Sequence, residues 1–148
     1  MTAIATIALG LSIFAAAPVG AATHTHTLVV DHPSGPVDAR YRGRVIVEHQ
    51  QIGSVAPPGR GATLRCAWTA RLAVDRTATT PSKAAASRSF VTDGIMRGSR
   101  PGWCSAARSA IAGEVASRLS NADVHLAAAA RADHPVLLAE IDRLAGPA

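Results

Sequence analysis

The sequence predicts an α+β domain: a four-stranded antiparallel meander, followed by two or three C-terminal helices packed on one face and tied to the sheet by one disulfide. Three observations carry this expectation. Strand-like runs, the longest with a two-residue hydrophobic period, lie between Thr27 and Thr92, runs with a helical period follow from Ser105, and the only two cysteines, Cys66 and Cys104, fall one in the strand region and one at the start of the helical region. Strands gathered first and helices afterwards favour this class over the alternating order of a parallel sheet.

Residues 1–22, MTAIATIALGLSIFAAAPVGAA, read as a secretory signal peptide, because an uncharged apolar run from Ile4 to Ala17 leads into small residues. Cleavage after Ala21 or after Ala22 suits those small residues, whereas a cut after Ala17 places Pro18 next to it. The apolar run is shorter than the roughly 20 residues that span a bilayer. Export to the periplasm or beyond is therefore expected, with residues 23–148 as a single small domain and no transmembrane segment in the mature chain.

The first strand is short, from Thr27 to Asp31, and a turn cluster from His32 to Pro36 ends it. Val37 to His49 then alternates, with Val37, Ala39, Tyr41, Gly43, Val45 and Val47 on one side and Asp38, Arg40, Arg42, Arg44 and Glu48 on the other. After a loop from Gln50 to Gly61, the run from Ala62 to Arg76 holds the clearest period of two in the chain. Leu64, Cys66, Trp68, Ala70, Leu72 and Val74 alternate there with Thr63, Arg65, Ala67, Thr69, Arg71, Ala73 and Asp75. Successive side chains of a strand point to opposite faces, so one face of this ribbon is buried and the other wet.

Pairing the two long strands by size suggests a register that sets Val45 against Cys66, Gly43 against Trp68 and Tyr41 against Ala70. Gly43 would then leave room for the Trp68 indole. A fourth strand is expected from Ser87 to Thr92, and Asp93 to Gly102 reads as a Gly-rich loop that carries the chain to Cys104. From Ser105 to Leu119 a helix is predicted, on the four-residue recurrence of Trp103, Ala107, Ile111, Val115 and Leu119. A second helix starts at Ser120 to Asp123, and Pro135 is expected to begin a third or to kink the second.

Much of the apolar content is alanine, which buries little area, so the core is thin and a covalent staple matters. In an oxidising compartment Cys66 and Cys104 are expected to pair. Closing the intervening loop contributes on the order of 3 to 4 kcal/mol in the chain-entropy model.

The formal charge is +5, and fourteen of the fifteen basic side chains are arginine. Arg40, Arg42, Arg44, Arg65 and Arg71 project to the wet side of the central strands, where arginine is suited to bidentate contact with phosphate or carboxylate. An anionic envelope component or an acidic protein is the partner this stripe would suit. No aromatic interleaves with the arginines, since Tyr41 points the other way, so nucleic acid is disfavoured.

A second candidate is a histidine cluster around the first strand, with His24 and His26 before it and His32 just after it. Cleavage after Ala21 would leave Ala22-Thr23-His24 with a free amine and a histidine third. That arrangement resembles the amino-terminal Cu(II)- and Ni(II)-binding motif, and the resemblance implies a square-planar nitrogen site. Cleavage after Ala22 abolishes it.

Sequence motifs of common enzyme classes, such as H-E-x-x-H, G-x-S-x-G, the Walker loop and the dinucleotide fingerprint, do not occur. The expected role is an exported, non-catalytic envelope protein that binds an anionic surface or partner through its arginine face. A copper- or nickel-binding module is the second expectation, and an enzyme of unrecognised class the third.

Overall fold

The computed structural model describes residues 22–146. Its elements follow in the order β1 (Thr23–Val30), β2 (Val37–Ile52), β3 (Arg65–Thr79), β4 (Ala85–Val91), β5 (Met96–Pro101), α1 (Cys104–Arg118) and α2 (Ala122–Ala145). All pairings are antiparallel. The sheet runs β1-β2-β3-β4, and β5 pairs with β3 as well. Because β2 occupies one side of β3, β4 and β5 share the other, β4 beside Ala73–Thr79 and β5 beside Arg65–Ala70.

This is the α+β layering expected from the sequence, with the helices following the sheet. The alternation sorts the faces as the side-chain period requires. Val37, Ala39, Tyr41 and Gly43 of β2 are buried while Asp38, Arg40, Arg42 and Arg44 are exposed. On β3 the buried series runs from Cys66 through Trp68, Ala70, Leu72 and Val74, and it continues through Arg76 to Ala78.

The predicted register of β2 on β3 is wrong by six residues. Gly43 lies opposite Val74, Val45 opposite Leu72 and Tyr41 opposite Arg76, while Trp68 faces His49. An even slip leaves every side chain on its own face, so the hydrophobic pattern alone permits both arrangements. Gly43 is not the glycine that lies against Trp68. A Cβ on Gly43 would meet Leu126 Cδ1 of α2 at 3.0 Å, whereas a Cβ on Gly98 would come within 2.6 Å of Trp68 Cζ2. Gly98, directly opposite Trp68 on β5, is the residue that makes room for the indole.

The stretch read as a loop from Asp93 to Gly102 thus contains β5, a fifth strand, whose sequence Met-Arg-Gly-Ser-Arg-Pro shows no hydrophobic alternation. It is held by ladder bonds to β3 and by packing under Trp68. Strand identity is imposed there by the neighbour and not by intrinsic preference.

Two apolar clusters form the core. Tyr41, Leu72, Val74 and Ala78 pack against Leu126, Ala130, Leu137 and Ile141 of α2. Cys66, Trp68 and Ala70 pack against Ala107, Ile111 and Val115 of α1, with Leu119 following that helix. Trp103 is not part of the α1 stripe: it sits at the N-cap and is 55% exposed.

The Cys66–Cys104 disulfide joins the start of β3 to the first residue of α1, with a Cα–Cα distance of 4.8 Å. Gln51 reinforces the same corner. Its side-chain amide donates to the carbonyls of Arg65 and Gly102, and its oxygen accepts from the Cys104 N–H at 2.8 Å. That bond satisfies one of the donors a helix leaves unpaired in its first turn.

Proline 135 does not begin a third helix, because α2 continues through it. A mid-helix proline loses a backbone bond and costs about 3 kcal/mol. Anchors on both sides offset this: Ala129, Ala130 and Asp133 before it and Leu137 and Ile141 after it are buried. The ring itself is exposed to solvent. No helix among the described residues is long and apolar enough to cross a membrane.

Candidate functional site

Charge is divided between the two layers. The strands carry nine basic and three acidic side chains, the helices four basic and five acidic, and the connecting segments two of each. The net positive charge of the chain therefore resides in the sheet. Three of the strand arginines, Arg76, Arg88 and Arg100, turn inward to carboxylates on the helices. The others stand on the face that no helix covers.

That outer face is built of short cross-strand rows. Thr27, Arg40, Thr77 and Ser87 are successive partners in one row, and Thr25, Arg42, Asp75 and Ser89 in the next. Thr23, Arg44 and Ala73 follow. β2 thus raises a line of guanidinium groups between a wall of threonine on β1 and one of threonine, aspartate and alanine on β3. Over the β1–β3 end lies an open groove of about 750 Å³, lined among others by Thr27, Asp38, Arg40, Arg42, Asp75 and Thr77.

The five arginines singled out in the sequence do share this face, but not one electrostatic state. Arg40 and Arg42 form no ion pair among the described residues, and both are exposed. Arg44 is 3.7 Å from Asp75, whose carboxylate also accepts from the Ser89 hydroxyl at 2.6 Å. Arg71 is paired with Glu48 at 3.2 Å, and Arg65 donates to the Ser99 hydroxyl at 2.7 Å. Exposed pairs of this kind contribute roughly 0 to 1 kcal/mol and open readily for a competing anion. The groove with its two unpaired guanidinium groups is thus the part of the face best placed to receive one.

The histidines lie on the other side of β1. His24 and His26 are half-buried, and His24 Nδ1 is 2.9 Å from Asp123 Oδ1 at the start of α2. His32, with its side chain only 6% exposed, places Nε2 2.9 Å from Asp142 Oδ1 near the end of α2 and Nδ1 2.7 Å from the Ser34 hydroxyl. The two contacts fasten opposite ends of α2 alongside β1. Among the described residues no group of three or more His, Cys, Asp or Glu side chains is placed to hold a metal ion. Ala21, the residue at the predicted cut, lies outside the described residues.

A further polar constellation, absent from the sequence reading, lies between the sheet and α2. Arg76 is fully buried and donates to Asp133 at 2.9 Å and to Glu140. Asp133 also accepts from Arg88 and from the Tyr41 hydroxyl at 3.1 Å. Burial, reinforced by the Asp133 charge, pushes the Tyr41 hydroxyl up to about 12. Two signals pointed here: Arg76 continues the inward series of β3, and Asp133 and Glu140, seven apart, share one helical face. With Asp133 only 3% exposed, the cluster ties α2 to the sheet from within.

At the other helix, Glu114 accepts from Arg100 at 2.9 Å and from Arg118 at 3.0 Å. The hydrogen bond from Arg100 is the main cause holding its carboxyl below the usual range. Comparison with family models, with curated proteins and with solved structures gives no match to this chain.

Proposed function

We propose that this chain is an exported, non-catalytic envelope protein whose outer sheet face binds anionic groups, with Arg40 and Arg42 as the principal contacts. The observation that carries this reading is the exposure of two guanidinium groups, without an ion pair among the described residues, over a groove whose walls carry threonine hydroxyls and the carboxylates of Asp38 and Asp75. Guanidinium groups bind phosphate or carboxylate in a bidentate fork, and neighbouring hydroxyls can donate to the remaining oxygens. Charge complementarity comes from the whole layer, because the excess of basic side chains is concentrated in the strands. The outer faces of β1, β2 and β3 carry no aromatic side chain on which a base could stack, which argues against nucleic acid.

The test compares two variants that lose the same charge from opposite layers. Arg40→Ser/Arg42→Ser/Arg44→Ser removes the β2 row, and Arg108→Ser/Arg131→Ser/Arg143→Ser removes exposed arginines of the helices. On immobilised phosphate the first variant is expected to elute at distinctly lower salt than the second. Equal elution would mean that net charge alone governs retention, and the reading would fail.

A further inference from the structure

The anion-binding reading leaves open the shape of the ligand, and the layout of the outer face bears on it. Arg40, Arg42 and Arg44 occupy alternate positions of one regular strand, so they rise from the same face in a straight line. Alternate residues of a strand are about 6.8 Å apart, and the three therefore span about 14 Å. Sites for compact anions draw several donors to one point, often backbone N–H groups at a helix terminus or nest. Here the donors are spread along a line, the walls on both sides are low, and the groove is open at the surface.

The far end of the line is held back by one acid. Arg44 and Asp75 are 3.7 Å apart and 59% and 54% exposed, a loose pair in high-dielectric surroundings. A second anion arriving on Arg44 has only that contact to displace, since the Ser89 hydroxyl retains its own bond to Asp75.

We infer that the ligand is a linear polyanion without aromatic groups, a chain bearing phosphate or carboxylate on successive repeats, which lies along β2 across Arg40, Arg42 and Arg44. This rests on the anion-binding reading and adds chain length to it. Each contact is weak alone, and linkage of the anions supplies the affinity by raising the effective concentration of the second and third. Asp75 acts as a brake by competing for Arg44.

The experiment is calorimetric titration of the purified protein at low salt with pyrophosphate, tripolyphosphate and long-chain polyphosphate, and in parallel with galacturonate and polygalacturonate. Affinity is expected to rise by about tenfold or more from the shortest anion to the chain. The rise should vanish in Arg40→Ser/Arg44→Ser, which keeps one guanidinium of the line, and Asp75→Asn should tighten the chain more than it tightens pyrophosphate, because Asp75 both stands beside Arg42 and holds Arg44. The series that shows the gain, phosphate or carboxylate, names the chemistry of the repeat. A pyrophosphate affinity equal to that of the chain would overturn the inference and leave anion binding standing. So would a length effect that persists in the double variant, because it would reflect only the number of sites on the polymer. Absence of binding by every probe would remove both the inference and the reading beneath it.

Discussion

Replacing Asp133 with Asn removes the negative charge shared by Tyr41, Arg76 and Arg88 inside the fold and turns one of its two accepting oxygens into an NH2 donor that faces their own donors. The Arg76 side chain has no solvent exposure and that of Asp133 has 1%, so the guanidinium cannot recover its hydration without moving α2. Truncating one partner of a buried pair costs about 3 to 5 kcal/mol. Glu140, itself 25% exposed, keeps its contact with Arg76 and places the expectation at the lower end, about 3 kcal/mol. For a domain of this size that corresponds to a fall in Tm of roughly 10 °C. Thermal unfolding followed by circular dichroism at neutral pH, with the disulfide intact, reads the change directly. The paired replacement Arg76→Leu/Asp133→Leu supplies the control, since it removes both fully buried charges together and leaves only Arg88 and Glu140, which are partly exposed and can turn to solvent. It should lose less than Asp133→Asn alone. A single variant within about 1 kcal/mol of the parent would refute the claim that this contact fastens α2 to the sheet.

Tyr41 is the only tyrosine, so phenolate absorbance reports it without ambiguity. Its titration midpoint is expected near 12 in the folded protein and near 10 in denaturant. The sign follows from linkage: with the folded value raised, its contribution is complete below about pH 10 and is lost as the pH climbs towards 12. Tyr41→Phe should flatten that alkaline loss of stability; an unchanged slope would assign it to another group. Gly98→Val sets new atoms against the Trp68 ring, where even a Cβ comes within 2.6 Å, and overpacking of this kind costs about 1 to 3 kcal/mol. Altered Trp68 fluorescence together with a lower unfolding midpoint would confirm it, and a neutral result would mean that the ring sits elsewhere. Cys66→Ser/Cys104→Ser opens a link spanning 38 residues and is expected to cost roughly 4 kcal/mol, checked by denaturant unfolding against the oxidised parent.

The legible parts of this fold were those governed by side-chain period. Alternation in β2 and β3 identified the strands and their inner and outer faces, including the side on which all five arginines stand. The helical recurrence of Ala107, Ile111, Val115 and Leu119 likewise marked the buried stripe of α1. The disulfide followed from the pairing expected of the two cysteines if the chain is exported. Register was not legible, because shifting β2 by six residues moves no side chain across the sheet and only the packing of Leu126 and Trp68 distinguishes the choices. The fifth strand was hidden for a related reason: Gly98 serves by lacking a side chain, which reads as a loop when its partner is unknown. Arg76 marked the expected end of its strand, since a charge at an inward position looks like a boundary until a carboxylate is found opposite. Within the candidate site, exposure could be read from alternation, but the separation of Arg40 and Arg42 from their paired neighbours depended on the true register, which brings Asp75 beside Arg42 and within reach of Arg44.

Nuclear magnetic resonance of the arginine Nε–Hε groups during titration with pyrophosphate at low ionic strength tests the central claim most directly. The signals of Arg40 and Arg42 are expected to move first and furthest, that of Arg44 to follow, and added salt to reverse the shifts. Movement shared evenly with Arg108, Arg131 and Arg143 on the helices, or no movement on β2, would contradict it.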